Sequence, residues 1–317
     1  MAGSGPLANE ERIARLRREN QVILIAGPTA SGKSALAVRI ANALGGEIVN
    51  ADSMQVYRDL AILSARPTLE EQAGIPHHLF GFVDGAHEFS VGEYLSAVSV
   101  LPRARPLIFV GGTGLYFRAL TEGLVETPLV PAEIRAAIAM RAAAGEDMHA
   151  ALRGIDPASA ERLSPADLPR IQRALEMQMA TGEAFSTWRE KHQSRPLLPQ
   201  GSWKGLFLTP DRETLNARID RRFEAMMVQG APEEVRALKA RGLPTNRGVM
   251  KAHGVPHLVR YLDGEIALQE AIRLGQQDTR NYAKRQLTWA RKFMREWIWV
   301  EGATDGLEAL HMELSPS

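Results

Sequence analysis

Cysteine is absent from this chain of 317 residues, which excludes disulfides, thiolate metal sites and cysteine nucleophiles. Long apolar runs are also absent, because segments such as 21–26 and 107–110 fall far below the roughly 20 residues that span a bilayer. An excess of one charge is lacking too, since the formal net charge is only +1. We therefore expect a soluble, cytoplasmic protein with no membrane contact, in which any nucleic-acid binding depends on local clusters of cations.

Short apolar runs alternate with helical patterns, which predicts an α/β fold with a three-layer core around a parallel sheet. The first strand is expected at residues 22–26 and leads into a helix from Lys33 to Leu44. Further strands are predicted at residues 47–50, 107–110, 205–208 and 297–300. Two long amphipathic helices are predicted, at about 211–230 and 268–297.

Residues 127–200 interrupt this alternation with helical periodicity and no convincing strand, so they predict an inserted all-helical domain with Met177 and Met179 in its core. The predicted order is a polar N-terminal extension at 1–20, the first part of the core at 21–126, the insertion, the second part of the core at 201–301 and a tail at 302–317. Glutamates and the lack of an apolar segment argue against a signal or transit peptide in the extension.

A phosphate loop is predicted between the first strand and the first helix. The residues Gly27, Pro28, Thr29, Ala30, Ser31, Gly32, Lys33 and Ser34 match the pattern GxxxxGK[ST] in the required strand-to-helix context. Backbone N–H groups there can hold an oligophosphate, Lys33 adds a positive charge, and the Ser34 hydroxyl can bind Mg²⁺. A glycine-rich turn without a ligand is the alternative.

Asp52 follows the second predicted strand, at the sheet edge where ligands of open α/β sheets bind. Its carboxylate could act as a general base, bind magnesium through water or cap the next helix. The third strand ends in Gly111-Gly112-Thr113-Gly114, which offers no acid for a second magnesium ligand but allows a flat or phosphorylated ligand to approach closely.

Seven ordered motifs resemble those of the tRNA dimethylallyltransferase family and span about residues 20–300. They are Gly27–Ser34, Asp52–Tyr57, Pro76–Leu79, Gly111–Tyr116, Arg173–Glu176, Arg218–Phe223 and Tyr282–Trp289. The resemblance implies a phosphate-loop kinase-like core with an inserted helical domain. It also implies Mg²⁺-dependent transfer of a dimethylallyl group from dimethylallyl diphosphate to N6 of the adenosine 3′ of the anticodon, position 37, in tRNAs that read codons beginning with U.

The same resemblance assigns roles to residues of this sequence. Asp52 would be the catalytic base, Arg222 a second cation on the diphosphate, and Thr113 a hydrogen-bond partner near a base flipped into a channel beside the phosphate loop. Positions that match family contacts with the anticodon stem-loop are Asp52, Ser53, Met54, Gln55, Thr113, Arg135, Pro169, Arg170, Ile171, Gln172, Arg173, Lys251, Ala252, His253, Gly254, Val255 and Pro256. The chain departs from the usual family pattern at 252–257, where Ile-Gly-Tyr-Lys-Glu is more common.

Basic residues are dense toward the C-terminus, where residues 203–300 hold 18 lysines and arginines against 11 acids. We interpret Lys284 and Arg285 as tRNA contacts through the phosphate backbone, with a solvated helix face as the alternative. The aromatic stripe of the same helix is expected in the core, with base stacking as the alternative; it comprises Tyr282, Trp289, Phe293 and Trp297.

Two other functions share some of these features. A small-molecule kinase would use the phosphate loop and Asp52, but it leaves the basic region unexplained. A non-catalytic nucleic-acid binding module would leave the phosphate loop and Asp52 unexplained. We expect a monomer.

Overall fold

The computed structural model describes residues 22–125, 127–192 and 194–302. The predicted N-terminal extension, and the predicted tail beyond residue 302, lie outside the described residues. Contacts within the chain separate two compact units, of which the core unit comprises the described residues up to Thr121 and from Leu197 onward. The helical unit spans Glu122–Pro196, whereas the sequence places the insertion at residues 127–200.

Six parallel strands form one sheet in the core unit, which confirms the predicted fold class. The strands are β1 (Val22–Ala26), β2 (Glu47–Asn50), β3 (His77–His78), β4 (Leu107–Gly111), β5 (Trp203–Leu208) and β6 (Ile298–Val300). Their order across the sheet is β3-β2-β4-β1-β5-β6. Strand β3 was not predicted, because two residues carry no periodicity that could reveal a strand.

The central strand β1 is buried along its whole length and pairs with β4 on one side and β5 on the other. Its side chains alternate between the two faces of the sheet, so Ile23 and Ile25 belong to one hydrophobic cluster and Leu24 to another. Ala26 is opposite both Gly111 and Phe207 in register. The loops that follow β1, β4 and β5 therefore leave the sheet side by side.

Helices cover both faces of the sheet and give the predicted three layers. Helix α1 (Lys33–Leu44) packs on one face, and its bounds match the prediction. The other helices of the core unit are α2 (Val91–Ser99), α3 (Gly114–Glu122, whose last residue already belongs to the helical unit), α9 (Arg212–Val228), α10 (Ala231–Ala240), α11 (Val255–Leu262) and α12 (Leu268–Phe293), with a 3₁₀ turn at Val249–Lys251.

The described residues of the helical unit form five helices with their own hydrophobic core. These are α4 (Ala132–Ala143), α5 (Met148–Ile155), α6 (Pro157–Arg162), α7 (Leu168–Thr181) and α8 (Phe185–Lys191). Ile138, Leu152, Ile171 and Leu175 are buried together in that core. Met177 is buried as expected, but Met179 is 45% exposed, so its prediction as a core residue is wrong.

The buried carboxylate of Asp156 joins the starts of α6 and α8 through hydrogen bonds. It caps α6 by accepting the N–H of Ser159, and it accepts both the N–H and the hydroxyl of Ser186 at the start of α8. These hydrogen bonds lower the pKa of Asp156 against the opposing effect of its burial. Among the helices of the described residues, none is long and apolar enough to span a membrane.

Candidate active site

The phosphate loop lies between β1 and α1, as predicted. Gly32 has φ of +91° and Ala30 has φ of +62°, and the value at Ala30 is strained for a residue with a Cβ. The Lys33 ammonium donates to the carbonyl of Pro28 at 3.2 Å, which holds the side chain over its own loop. Burial lowers the pKa of Lys33 to about 8, although Asp52 nearby raises it. The site thus holds a cation that an incoming anion would stabilise.

A cavity of about 560 Å³, which we call the phosphate-loop cavity, opens beside this loop. Cations line it from two elements, with Lys33 and Arg39 on α1 and Arg218 and Arg222 on α9. Burial lowers the pKa of Arg222, whereas Glu71 and Asp52 raise it. Since an arginine stays protonated at neutral pH, the cavity presents fixed positive charge at the N-terminus of a helix, which is the environment that phosphates prefer.

A second cavity, of about 300 Å³, adjoins the first and is mainly lined by apolar side chains. We call it the apolar cavity. The two cavities share Ala30, Ala65 and Arg222 as lining residues, so they meet at these three side chains. The apolar part of the wall is made by Met54, Leu63, Ile219, Phe223 and Met226, and Asp52 forms part of the polar wall.

Asp52 is held by the buried side chain of Asn50 at the end of β2. The Asn50 Oδ1 accepts the N–H of Asp52 at 2.8 Å, and its Nδ2 donates to the carbonyls of Asp52 and Leu79. The carboxylate Oδ1 of Asp52 accepts the N–H of Met54 at 2.9 Å. Its Oδ2 lies over Gly112, where an added Cβ would be 3.4 Å away. One carboxylate oxygen is therefore used for orientation, which leaves the other available to a proton.

Thr113 contacts the segment that follows Asp52. Its Oγ1 accepts the N–H of Ser53 at 2.9 Å and donates to the Ser53 hydroxyl at 3.2 Å. Tyr282 of α12 lies beside the same groups and lines the apolar cavity, where burial and the charge of Asp52 raise its pKa and hydrogen bonds with Thr113 and Gln286 lower it. The expectation that the whole aromatic stripe is core holds for Trp297, which is 8% exposed, but not for Tyr282.

The segment 251–256 forms another part of the apolar cavity wall, through Lys251, Ala252 and His253. The His253 ring is 4.5 Å from that of Tyr282, and burial and the charge of Arg285 lower its pKa, against the opposing effect of Asp278 and Asp52. Gly254 has φ of +91° and its Cα faces the Phe223 ring, where a Cβ would clash. Val255 is fully buried and begins α11, and Pro256 follows it in the first turn.

The remaining predicted tRNA contacts differ in exposure. The Gln55 amide donates to the carbonyls of Ser64 and Ala65 and so supports the cavity wall. Lys284 and Arg285 are exposed on α12. In the helical unit, Arg135, Pro169 and Arg170 are exposed, Gln172 and Arg173 are partly exposed, and Ile171 is buried.

Two residues that support the site were not singled out from the sequence. The Glu234 carboxylate on α10 accepts the backbone N–H groups of Ala61, Ile62 and Leu63 at 2.6, 2.8 and 3.0 Å. Gln286 on α12 is buried and contacts two loops at once. Both act across more than 170 residues of sequence, which no local motif reveals.

Among the described residues, no group of three or more histidines or acids could hold a metal ion by itself. The phosphate-loop cavity offers the Ser34 hydroxyl, with Glu71 on its wall. Mg²⁺ commonly takes one or two protein oxygens and completes its shell with substrate phosphates and water. The donor set therefore fits a magnesium ion that is held chiefly by a bound diphosphate.

Comparison with known proteins gives matches along most of the chain. The family model described as IPP transferase matches residues 55–293, and the one described as isopentenyl transferase matches residues 20–78. The chain is 52% identical to the tRNA dimethylallyltransferase of Methylocella silvestris over 88% of this chain and 94% of that protein. It is 53% identical to the protein of the same name from Rhodopseudomonas palustris, again over 88% and 94%.

Solved structures agree with these matches. The full-length tRNA isopentenylpyrophosphate transferase from Bacillus halodurans superposes with a TM-score of 0.65 at 32% identity, covering 93% of this chain and 95% of that one. A eukaryotic dimethylallyltransferase acting on tRNA superposes with a TM-score of 0.72 at 30% identity, covering 85% of this chain and 69% of that one. The resemblance drawn from the seven motifs is confirmed.

Proposed function

Because this chain belongs to the family of tRNA dimethylallyltransferases, and is therefore a transferase that prenylates tRNA, we propose that it moves a dimethylallyl group from dimethylallyl diphosphate to N6 of the adenosine 3′ of the anticodon. The acceptors would be tRNAs that read codons beginning with U. The observation that carries this proposal is that the apolar cavity, which Asp52 lines, adjoins the cavity beside the phosphate loop.

The shape and chemistry of the cavities support dimethylallyl diphosphate as the donor. Its diphosphate fits the phosphate-loop cavity, where the backbone N–H groups, Lys33 and Arg222 supply positive charge. Its branched hydrocarbon fits the apolar cavity, in which Met54, Leu63 and Phe223 exclude water. The shared Ala30, Ala65 and Arg222 mark the place where the bond between them would lie.

Asp52 is the proposed general base. The exocyclic amine of adenine is a weak nucleophile, so its orientation and the stabilisation of the leaving group contribute most to the rate. The N6 nitrogen forms a bond to C1 of the dimethylallyl group as the C1–O bond breaks, and that electron pair leaves on the diphosphate. The N6 proton passes to Asp52, whose Oδ1 is fixed by the Met54 N–H.

The diphosphate gains negative charge as it leaves, and the cations around the phosphate loop oppose that charge. Lys33 and Arg222 do so directly, and the Ser34 hydroxyl would hold Mg²⁺ on the same diphosphate. When bound, the ion would supply further neutralisation of the leaving group.

The acceptor base is stacked within the anticodon loop, so it must leave its stack before N6 can reach Asp52. Unpaired loop bases are the usual targets of sequence-specific RNA recognition. Exposed cations on α12, which include Lys284, Arg285, Arg291 and Lys292, support contact with the tRNA phosphate backbone.

Incorporation of labelled prenyl groups tests the proposal. Purified protein, Mg²⁺, labelled dimethylallyl diphosphate and an unmodified tRNA with adenosine 3′ of the anticodon should give labelled RNA. The matched control is the same tRNA with guanosine at that position, which should stay unlabelled. Label in both RNAs would contradict the acceptor position, and turnover of ATP without label in either RNA would favour a small-molecule kinase.

A further inference from the structure

Gln286 is a buried amide in the middle of α12, with the exposed residues Lys284 and Arg285 just before it. Its Oε1 accepts the backbone N–H of Thr29 at 3.2 Å, and its Nε2 donates to the backbone carbonyl of Gly112 at 2.9 Å. An amide is the neutral side chain that can accept and donate at opposite atoms of one rigid plane. Gln286 therefore fixes two loops with respect to each other.

Glycines in and just after the loop that follows β4 allow side chains of α12 to approach its backbone closely. A Cβ on Gly112 would lie 2.2 Å from the Gln286 Nε2, and a Cβ on Gly114 would lie 2.4 Å from the Trp289 ring. Real Cβ atoms essentially never come within 3.0 Å of another heavy atom, so a side chain at position 112 would displace the Gln286 amide and one at position 114 would displace the Trp289 ring. Glycine at position 112 is thus explained by the need for the Gln286 contact.

The two loops that Gln286 joins belong to different halves of the site. Thr29 is part of the phosphate loop, next to Ala30 on the wall of both cavities. Gly112 precedes Thr113, whose hydroxyl group holds Ser53 beside the base Asp52. One side chain therefore connects the loop that would hold the diphosphate with the loop that would place the base and the acceptor.

We propose that Gln286 is a positioning residue that sets the distance between the leaving diphosphate and the acceptor amine. The inference rests on the proposed function and deepens it. Gln286 hydrogen-bonds Thr29, Gly112 and Tyr282, and the proposed role is to act on the substrates through these groups. Transfer between two bound substrates is sensitive to their separation, and a displacement of about 1 Å lowers rates by about 100-fold. Loss of the link should therefore affect turnover more than binding.

The first test compares two variants with the same substitution on α12. Gln286→Met keeps the side-chain length but can neither donate to Gly112 nor accept from Thr29. Gln276→Met is the control, because Gln276 donates to the Asp220 carbonyl and to Glu224 on α9 and contacts neither loop. We expect Gln286→Met to lower kcat by roughly 10- to 100-fold with KM for dimethylallyl diphosphate and affinity for tRNA within about threefold. Gln276→Met should keep wild-type kcat.

The pH profile of Gln286→Glu gives a second readout that a merely structural role would not produce. The ionised carboxylate accepts from Thr29 but repels the Gly112 carbonyl, whereas the protonated form can donate to that carbonyl and restore both bonds. The ratio of the variant rate to the wild-type rate at the same pH should therefore rise as pH falls. The ratio for Gln286→Met should not change with pH. The pH dependence of the Gln286→Glu rate relative to wild type remains decisive if Gln286→Met does not fold, because it requires only those two proteins.

The outcomes separate this inference from the function on which it rests. A wild-type protein that transfers no label would overturn the proposed function, and the role of Gln286 with it. An active wild type with an unchanged kcat in Gln286→Met would overturn only the positioning role. Equal losses of kcat and of both affinities, or a ratio for Gln286→Glu that stays flat with pH, would do the same.

Discussion

Arg222 is the charged residue among the three that line both cavities, so its contribution should be to donor binding. Removing its guanidinium takes one fixed positive charge from the place proposed for the diphosphate. Arg222→Ala should raise KM for dimethylallyl diphosphate by about tenfold or more, while tRNA affinity stays nearly unchanged. Steady-state kinetics with each substrate varied in turn would measure both. Arg221→Ala is the control, because that neighbour is exposed on the same helix; an equal effect in both variants would contradict the role.

Because the pKa of Lys33 is lowered, we expect donor binding to depend on pH. Its pKa is lowered to about 8 in the free protein, and a bound diphosphate would stabilise the ammonium and raise that value. Affinity for diphosphate should therefore be constant well below pH 8 and fall as pH rises above it, because binding then requires proton uptake. Calorimetry at pH 8.5 in buffers of different ionisation enthalpy should detect that proton. Lys33→Arg should remove the uptake; its persistence would assign the proton to another group.

Among single residues, the sequence predicts the charged and catalytic groups of the site but not the side chains that hold those groups in place. The phosphate loop and Asp52 follow from spacing beside buried strands, and the structure places them around one pair of cavities. Asn50, which orients Asp52, gives no sequence signal because a buried asparagine at a strand end has many possible partners. Gln286 lies within a motif, yet its two partners are known only from the fold.

Among the structural elements, the turn at residues 60–66 depends on α10. Glu234 accepts three consecutive backbone N–H groups, at Ala61, Ile62 and Leu63, and so holds a wall of the apolar cavity. Glu234→Ala leaves these donors without that partner and should cost about 1–3 kcal/mol of unfolding free energy. Glu233→Ala is the matched control, since the neighbouring side chain is exposed and pairs with Arg236 on the same helix.

Urea denaturation of both variants would measure these changes. We expect Glu234→Ala to unfold at a clearly lower urea concentration than Glu233→Ala, and to show a higher KM for dimethylallyl diphosphate because the cavity wall loosens. Equal stability of the two variants would show that the turn does not depend on Glu234. The sequence could not predict this contact, because it joins residues separated by more than 170 positions.

Helical periodicity predicts the start of α12 correctly but not its end. The pattern gives its start at Leu268 but extends it to 297, whereas the helix ends at Phe293 and Met294 is the C-cap. Periodicity also cannot tell core from cavity wall, since both demand an apolar side. Trp297 is buried in the core, while Tyr282 lines the apolar cavity beside Asp52. Whether a position of this helix lies in the core or on a cavity wall depends on how the other helices and loops pack around it.

Across the whole molecule, positive charge is local rather than general, as the net charge of +1 requires. Arg212, Arg280, Lys284 and Arg291 line a cavity of about 670 Å³ together with the acids Asp211 and Glu301, and Arg280 is paired with Asp220. If this surface contacts the tRNA backbone, Lys284→Ala should weaken binding and lower the slope of log affinity against log salt by roughly one.

Filter binding across a range of salt concentrations would test that expectation. Arg236→Ala is a suitable control, because it removes one exposed cation from α10, where it pairs with Glu233. An unchanged slope in Lys284→Ala would show that this face of α12 is solvated and does not contact the tRNA backbone. A slope reduced equally in both variants would indicate a general effect of charge rather than a contact.

At the same scale, sequence reasoning recovers the layered parallel sheet and the existence of a helical segment between its strands. Alternating apolar runs and helices carry that information directly. The boundaries of the helical unit are set by contacts within Glu122–Pro196, which extend five residues before the predicted start and end four residues before the predicted limit of 200. The sequence pattern does not show which residues make these contacts, so it cannot give the exact boundaries.

We propose that Asp52 accepts the N6 proton within a site that binds donor and tRNA chiefly through other residues. The most direct measurement is single-turnover transfer of labelled dimethylallyl groups to tRNA by wild type and Asp52→Asn, with tRNA affinity measured on the same samples. Asparagine can retain the Oδ1 bond to Met54 but cannot take up the proton. We predict a rate reduced by about 100-fold or more with tRNA affinity within about twofold. A variant that transfers label at the wild-type rate would contradict the claim.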